Sequence, residues 1–349
     1  MKATKTAAKT IAFFDTKPYD RTWFEQLNAS RPSPYVIRWH ESRLRPETVR
    51  LAEGCEAVCA FVNDEISTDV VQALVRLKVR IIAMRCAGLS NVDLDAACGC
   101  LPVVRVPAYS PDSVAEHAAA LMLAVNRHIP RAYARTRDFN FNIAGLEGMV
   151  LHGKTAGIIG TGRIGIKFAE ICRGLGMRVL GYDTHPAENT AIEYVPLERL
   201  LAESDVISLH CPLTDQTRHI IGKYAFRKIK KGALLINTSR GALIDSDALV
   251  EALNNGTLRG AGLDVYEEES DLFYEDRSNT VARDEILSLL IAKPNVLLTA
   301  HQAFLTDEAL ENIARTTLSS LDAFFAGEPL AYEACAPEHR KACGVQNSQ

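Results

Sequence analysis

The chain has 349 residues, 47% hydrophobic and 23% charged, a balance that suits globular folding and a length that suits about two domains. A net charge of −4 offers no basic footprint for nucleic acid or an anionic membrane, and no apolar run approaches the roughly 20 residues of a membrane span. Nine cysteines are an odd number, and Cys59, Cys86, Cys172 and Cys211 lie in apolar contexts that favour buried, reduced thiols and a cytoplasmic setting. Cys98 and Cys100 have no second Cys/His pair at ligand spacing, so no metal site is expected.

The Lys/Thr-rich start, residues 1–10, lacks the apolar stretch of a secretory signal and reads as a frayed terminus. Short apolar runs follow at Ile11–Phe14, Tyr35–Trp39, Ala57–Val62, Arg80–Met84 and Val103–Val106, with helix-like segments between them. This alternation predicts a parallel sheet covered by helices. Ser110-Pro111 then opens a helix whose stretch Val114–Asn126 is almost wholly apolar, and it is expected to be buried nearly all round in an interdomain or subunit interface.

A second series has runs at Ala156–Ile159, Arg178–Tyr182, Val206–His210, Ala233–Asn237, Ala261–Val265 and Asn295–Thr299. They are continuously apolar, as strands buried on both faces should be. The helix-like stretch Asp307–Phe325 is long enough to return to the first series. The expected organisation is a discontinuous substrate domain, 1–108 plus 306–349, and a dinucleotide-binding domain, 109–305. The polar stretch Glu333–Gln349 reads as a loose tail.

Gly160-Thr161-Gly162-Arg163-Ile164-Gly165 follows one of these strands and opens a helix read over Ile166–Leu175. Here a first glycine can make the tight turn, a second can admit pyrophosphate, and a third can let helix and strand pack closely. Asp183 ends the next strand, 18 positions after Gly165, where a carboxylate accepts both ribose hydroxyls of NAD and repels the 2′-phosphate of NADP. Arg163 and His185 are the side chains that could meet such a phosphate instead.

Charged residues also follow three strands of the second series. Arg240 comes after Ala233–Asn237, Glu267, Glu268 and Glu269 come after Ala261–Val265, and His301 comes after Asn295–Thr299. Parallel sheets bind ligands beyond the carboxyl ends of their strands. The set suits reduction of a 2-keto acid. Arginine offers a bidentate fork for the carboxylate, histidine a proton for the carbonyl oxygen, and a carboxylate beside the imidazole favours its protonated form. Each alone is as readily a solvated turn, an exposed acidic face or a structural histidine.

Several stretches, in order, resemble the D-2-hydroxyacid dehydrogenase family, most of all its fermentative D-lactate dehydrogenase branch. They are Arg85-Cys86-Ala87-Gly88, Val106-Pro107-Ala108-Tyr109-Ser110-Pro111, Ala115-Glu116-His117-Ala118, the glycine motif, Asn237-Thr238-Ser239-Arg240-Gly241-Ala242-Leu243-Ile244-Asp245, Gly262-Leu263-Asp264-Val265-Tyr266-Glu267 and His301-Gln302-Ala303-Phe304. The resemblance covers Ile11 to about Leu330. It implies two Rossmann-like or flavodoxin-like open parallel-sheet domains with an interdomain active-site cleft.

For the site, the resemblance implies Arg240 as carboxylate anchor, His301 as proton donor and Glu269 as its partner, chosen by the family's spacing after Asp264. Amides near Ala87 and Gly88 would hold the substrate carboxylate, with Tyr109 and Phe304 bordering the pocket. Gly160, Gly162, Arg163, Ile164, Gly165, Asp183, Cys211, Pro212, Thr217, Thr238, Ser239, Arg240 and Asp264 fall at NAD-contacting positions. Thr217 stands where relatives often carry Asn. A homodimer or higher homo-oligomer, built partly on the 114–126 helix, is implied as well. The rival readings are an enzyme for glycerate, phosphoglycerate or a branched 2-keto acid, and an NADH-sensing corepressor on the same fold.

Overall fold

The computed structural model describes residues 8–188, 190–269, 273–280 and 284–334. The chain divides into two compact units, Met1–Ser110 with Thr306–Gln349, and Pro111–Leu305. Each is built on one parallel sheet.

The first unit opens with β1 (Thr10–Phe13), α1 (Pro18–Ala29), β2 (Val36–Trp39), β3 (Ala57–Ala60), α2 (Thr68–Arg76), β4 (Ile81–Met84), α3 (Leu94–Cys98) and β5 (Val103–Arg105). Its sheet runs in the order β2-β1-β3-β4-β5, the flavodoxin-like order. Every residue of β3 and β4 is buried, which explains why these segments read as unbroken apolar runs. Helix α1 begins at a proline, and the Asp20 carboxylate accepts the Lys17 amide at 3.0 Å, closing its first turn.

The second unit contains α4 (Pro111–Asn126), α5 (Ile129–Arg137), β6 (Thr155–Ile159), α6 (Arg163–Gly174), β7 (Arg178–Tyr182), β8 (Glu193–Tyr194), α7 (Leu197–Glu203), β9 (Val206–Leu209), α8 (Lys223–Lys228), β10 (Ala233–Asn237), α9 (Ser246–Asn254), β11 (Leu258–Leu263), α10 (Glu285–Ala292) and β12 (Val296–Leu298). Seven parallel strands run in the order β12-β11-β10-β9-β6-β7-β8. Successive strands go one way from β6 through β7 to β8, then return to β9 and go the other way. The switch point therefore lies between the carboxyl ends of β6 and β9. Apolar side chains fill both faces of this sheet, with Leu235, Leu263 and Leu290 on one side and Met122, Phe168 and Ile236 on the other.

The last helix, α11 (Asp307–Ala326), packs on α1 and β4 of the first unit. It is capped by the Thr306 hydroxyl at one end and stopped by Gly327 in the left-handed region at the other.

Two details differ from the sequence reading, and one, the open face of α4, adds to it. The tail is not loose from Glu333 onward: Val104 and Glu333 form an antiparallel bridge, and the Arg105 and Ala334 amides donate to Tyr332 and Val103, so Tyr332–Ala334 cover the open edge of β5. Residues beyond Ala334 lie outside the described ones. Within one chain Asp112, Glu116, Ala120 and Leu123 form an exposed stripe along helix α4 at helical spacing, the face left for the interface expected there. Cys98 and Cys100 are both disulfide-bonded, whereas Cys55, Cys59, Cys86, Cys172 and Cys211 are free and buried.

Candidate functional site

The glycine loop sits at the switch point of the second sheet. Gly160 has φ +90°, a conformation L side chains rarely adopt, and a Cβ there would lie 2.4 Å from the Cys211 nitrogen at the end of β9. A Cβ on Gly165 would lie 2.1 Å from the Gly160 oxygen, so α6 touches the loop only because that side chain is absent. Gly162 differs: it caps α6, and a Cβ there would meet no protein atom within 4 Å. The space above Gly162 and the free amides of the first α6 turn form a cradle for phosphate.

Asp183 closes the cradle from the end of β7. Its Oδ2 accepts the Thr161 amide at 2.6 Å and the Thr161 hydroxyl at 3.2 Å, and Oδ1 accepts the His185 amide at 2.8 Å. Partial burial opposes ionisation, but these donors outweigh it and hold the carboxyl below its usual range. Arg163 is exposed at the start of α6, Ile164 beside it is half-buried, and Thr238 carries a buried hydroxyl without a hydrogen-bond partner. That orphaned hydroxyl and the open cradle both fit a bound dinucleotide.

Other expected cofactor residues are placed as follows. The Ser239 hydroxyl donates to the Cys211 carbonyl at 2.7 Å, and burial pushes the Cys211 thiol up to about 11, so it stays a thiol. Pro212 is exposed, and the Thr217 hydroxyl is already engaged within the turn, donating to the Pro212 carbonyl at 2.7 Å and accepting the Thr214 amide at 2.7 Å. Asp264 is wholly buried, and its carboxylate is committed to the protein's own donors: the Thr299 hydroxyl at 2.6 Å and the Gln302 and Ala303 amides at 2.9 and 2.8 Å. Burial raises its proton affinity, but hydrogen bonds from His117, Thr299 and these amides prevail and lower its pKa.

Strand register brings the charged residues together. Asn237 of β10 pairs with Leu263 of β11, and Leu263 pairs with Leu298 of β12. Arg240, Glu269 and His301 follow that row by a few residues each and emerge at one sheet edge. Gly241 lets the Arg240 turn close against the β11 loop, because a Cβ there would lie 2.0 Å from the Tyr266 carbonyl carbon. Arg240 is exposed, its Nη1 donates to the Ser239 carbonyl at 2.7 Å, and among the described residues it makes no ion pair.

His301 Nδ1 lies 2.8 Å from Glu269 Oε1, and both side chains are about one-quarter exposed (23%). The other Glu269 oxygen accepts the Tyr266 amide at 2.9 Å, which fixes the carboxylate. Glu267 faces away toward His219, at 2.7 Å, and Glu268 is exposed, so geometry separates the three glutamates where periodicity could not. Because the carboxylate accepts from Nδ1, the second proton of a charged ring sits on Nε2. His301 has φ +50° and is held by its amide, which donates to the Asp264 carbonyl at 2.7 Å, and by its carbonyl, which accepts from the Tyr274 hydroxyl at 2.9 Å.

The expected carboxylate-binding amides and Tyr109 belong to the first unit. Ala87 and Gly88 are half-buried after β4, with the Ala87 carbonyl held by Arg105 Nη1 at 3.1 Å. The Tyr109 carbonyl accepts from Asn312 of α11 at 2.7 Å. Phe304 is buried in the loop after β12. Sequence reasoning assigned no role to Tyr274, Thr299 or His117; only His117 stood in a quoted motif. Among the described residues no cluster suits a metal ion, and no helix is long and apolar enough to cross a membrane.

Comparison with known proteins agrees with this geometry. The family described as D-isomer specific 2-hydroxyacid dehydrogenase, NAD binding domain, matches residues 119–303. The D-lactate dehydrogenase of Escherichia coli is 50% identical over 322 residues, covering 91% of this chain and 97% of that one. Its apo structure superimposes with a TM-score of 0.85 at 47% identity, covering 93% and 99% of the two chains. The structure of the pyruvate reductase of Chlamydomonas reinhardtii gives 0.88 at 41% identity, covering 93% and 98%.

Proposed function

The chain belongs to the D-isomer specific 2-hydroxyacid dehydrogenases, NAD-dependent oxidoreductases acting on CH–OH groups, and on that premise we propose that it reduces pyruvate to D-lactate. The observation that carries the reading is the single sheet edge that bears both the Glu269–His301 pair and an arginine without an ion pair among the described residues. NADH, when bound, supplies the hydride for the carbonyl carbon. Gly160, Gly162, Gly165 and the first turn of α6 cradle the pyrophosphate, and Asp183 takes the ribose hydroxyls.

Arg240 binds the substrate carboxylate through its planar fork, and Phe304 borders a small side chain. His301 gives its Nε2 proton to the carbonyl oxygen as that atom gains negative charge. Glu269 stabilises the protonated ring beforehand and keeps Nδ1–H in place afterwards, so the imidazole returns to the neutral form without turning. In lactate oxidation the same nitrogen takes the proton back.

The test is NADH oxidation against a panel of 2-keto acids with the product's chirality determined. Pyruvate should be the preferred substrate and D-lactate the product. L-lactate, or a clear preference for a branched or phosphorylated acid, would overturn the assignment. One or two methylenes are worth only about 1–3 kcal/mol of discrimination, so minor activity on larger acids is expected.

A homodimer belongs to the same proposal. Helix α5 buries none of its residues, and Ile129, Tyr133, Phe139, Phe141, Ile143 and Val150 leave an apolar surface 55–85% exposed beside the open stripe of α4. A second copy of the chain would cover it, and light scattering on the purified protein should give twice the chain mass. The five free, buried thiols fit action in the cytoplasm, whereas the disulfide-bonded Cys98 and Cys100 fit an oxidising setting.

A further inference from the structure

We propose that His117 of α4 is a positioning residue for the reduction, locking, through Thr299 and Asp264, the backbone that carries His301. The proposal rests on the reading of His301 as proton donor. His117 Nε2 lies 3.1 Å from Thr299 Oγ1 and 3.4 Å from Asp264 Oδ1, and its side chain is 19% exposed. The proton count fixes the direction of the chain. Thr299 has one hydroxyl proton, and its Oγ1 stands 2.6 Å from the Asp264 carboxylate, which only accepts. Thr299 must therefore accept from His117, so His117 carries a proton on Nε2.

What this chain holds is the segment around the proton donor. The Asp264 carboxylate binds the amides of Gln302 and Ala303, and its carbonyl binds the amide of His301. His301 occupies the left-handed region at φ +50°, which a non-glycine residue adopts at a cost and keeps only where neighbours impose it. Here the neighbour is a wholly buried carboxylate whose own orientation depends on Thr299 and His117. Loss of the His117 donor leaves the Thr299 oxygen and Asp264 Oδ1 without one of their partners, loosens the carboxylate, and releases the loop that aims His301 at the substrate. The glycine loop between β6 and α6 takes no part in the chain, so cofactor binding should be spared.

The experiment compares His117→Leu, His117→Gln and Thr299→Val with a His301→Ala control, in the full-length enzyme. His117→Leu and Thr299→Val should each lower kcat for pyruvate about tenfold and leave KM for NADH within about twofold. Their combination should cost no more than either alone, because both break one chain. His117→Gln keeps a nitrogen donor near the Nε2 position and should recover most of kcat. Wild-type kcat in His117→Leu, multiplicative losses in the double variant, or failure of the folded glutamine variant to recover would each overturn the proposal.

Nitrogen-15 spectra of the histidine-labelled parent give a reading that needs no folded variant of kinetic quality. The signal lost in His117→Gln should show a protonated Nε2, and a ring protonated only at Nδ1 would refute the chain. His301→Ala separates the two layers. Turnover retained there overturns the proton-donor reading itself, whereas turnover abolished there with His117→Leu unaffected overturns only the positioning role.

Discussion

Two alanine substitutions in one short loop should have opposite consequences. At Gly162 a methyl group meets no protein atom within 4 Å, and φ is an ordinary −69°. The free protein should accept it, with the small loss from alanine at a helix cap offset by a stiffer unfolded chain, so Tm should move by no more than about 3 °C. The methyl nevertheless fills the space assigned to pyrophosphate. Losing one charge-assisted amide–phosphate bond costs about 1.5–3 kcal/mol, and Kd for NADH should rise about 10- to 150-fold.

At Gly165 the methyl would sit 2.1 Å from the Gly160 oxygen and 3.3 Å from Ile158 Cγ2, where ordinary contact begins near 3.4 Å. The start of α6 must withdraw by more than 1 Å, at a cost of about 1–3 kcal/mol and a fall in Tm of about 2–12 °C, with NADH binding weakened as well. NADH fluorescence titration and thermal unfolding of both variants decide the matter. If Gly162→Ala binds NADH within twofold of the parent, or loses as much stability as Gly165→Ala, the placement of the phosphates is wrong.

Arg240→Lys keeps the charge but loses the fork, and kcat/KM for pyruvate should fall about 10- to 150-fold while NADH affinity holds; equal loss for both ligands would count against a carboxylate anchor. Glu269→Gln removes the charge 2.8 Å from His301, so kcat for pyruvate should fall at least about tenfold while Kd for NADH holds, and an unchanged kcat would dismiss the pair. Asp183→Ala should reduce the preference for NADH over NADPH in kcat/KM by at least about tenfold; an unaltered ratio argues against the ribose contact. Asp264 has a depressed pKa in the folded chain, so its stabilisation is present above the unfolded carboxyl value near 4 and is lost as pH falls through the folded one. The stability gap between the parent and Asp264→Asn should therefore shrink below about pH 4 in denaturant titrations, and a constant gap would show that the carboxylate contributes nothing by its charge.

Much of the fold was legible because parallel strands buried on both faces leave unbroken apolar runs, as Ala233–Asn237 and Ile81–Met84 do. The two-residue strand Glu193–Tyr194 was not, since it is too short to show any period. The antiparallel cover that Tyr332–Ala334 gives β5 also escaped, because edge pairing is chosen by what lies opposite and the segment itself is polar. In the site, residue type and strand-end position pointed to Arg240 and His301. The split between Glu267, bound to His219, and Glu269, bound to His301, depends on how one loop folds back, and adjacent glutamates carry no local sign of it. The Thr299 and Tyr274 contacts are tertiary in the same sense.

The return of α11 to the first unit has a consequence for how the molecule is made. Its partners α1 and β4 leave the ribosome more than 200 residues before it does. The uninterrupted second unit, Pro111–Leu305, is complete while the first still lacks its closing helix. Synthesis thus imposes an order: the half bearing the glycine loop and His301 can fold first, and the other half must wait for α11. Until then the apolar face that α11 will cover is a place where a nascent chain can aggregate or recruit a chaperone.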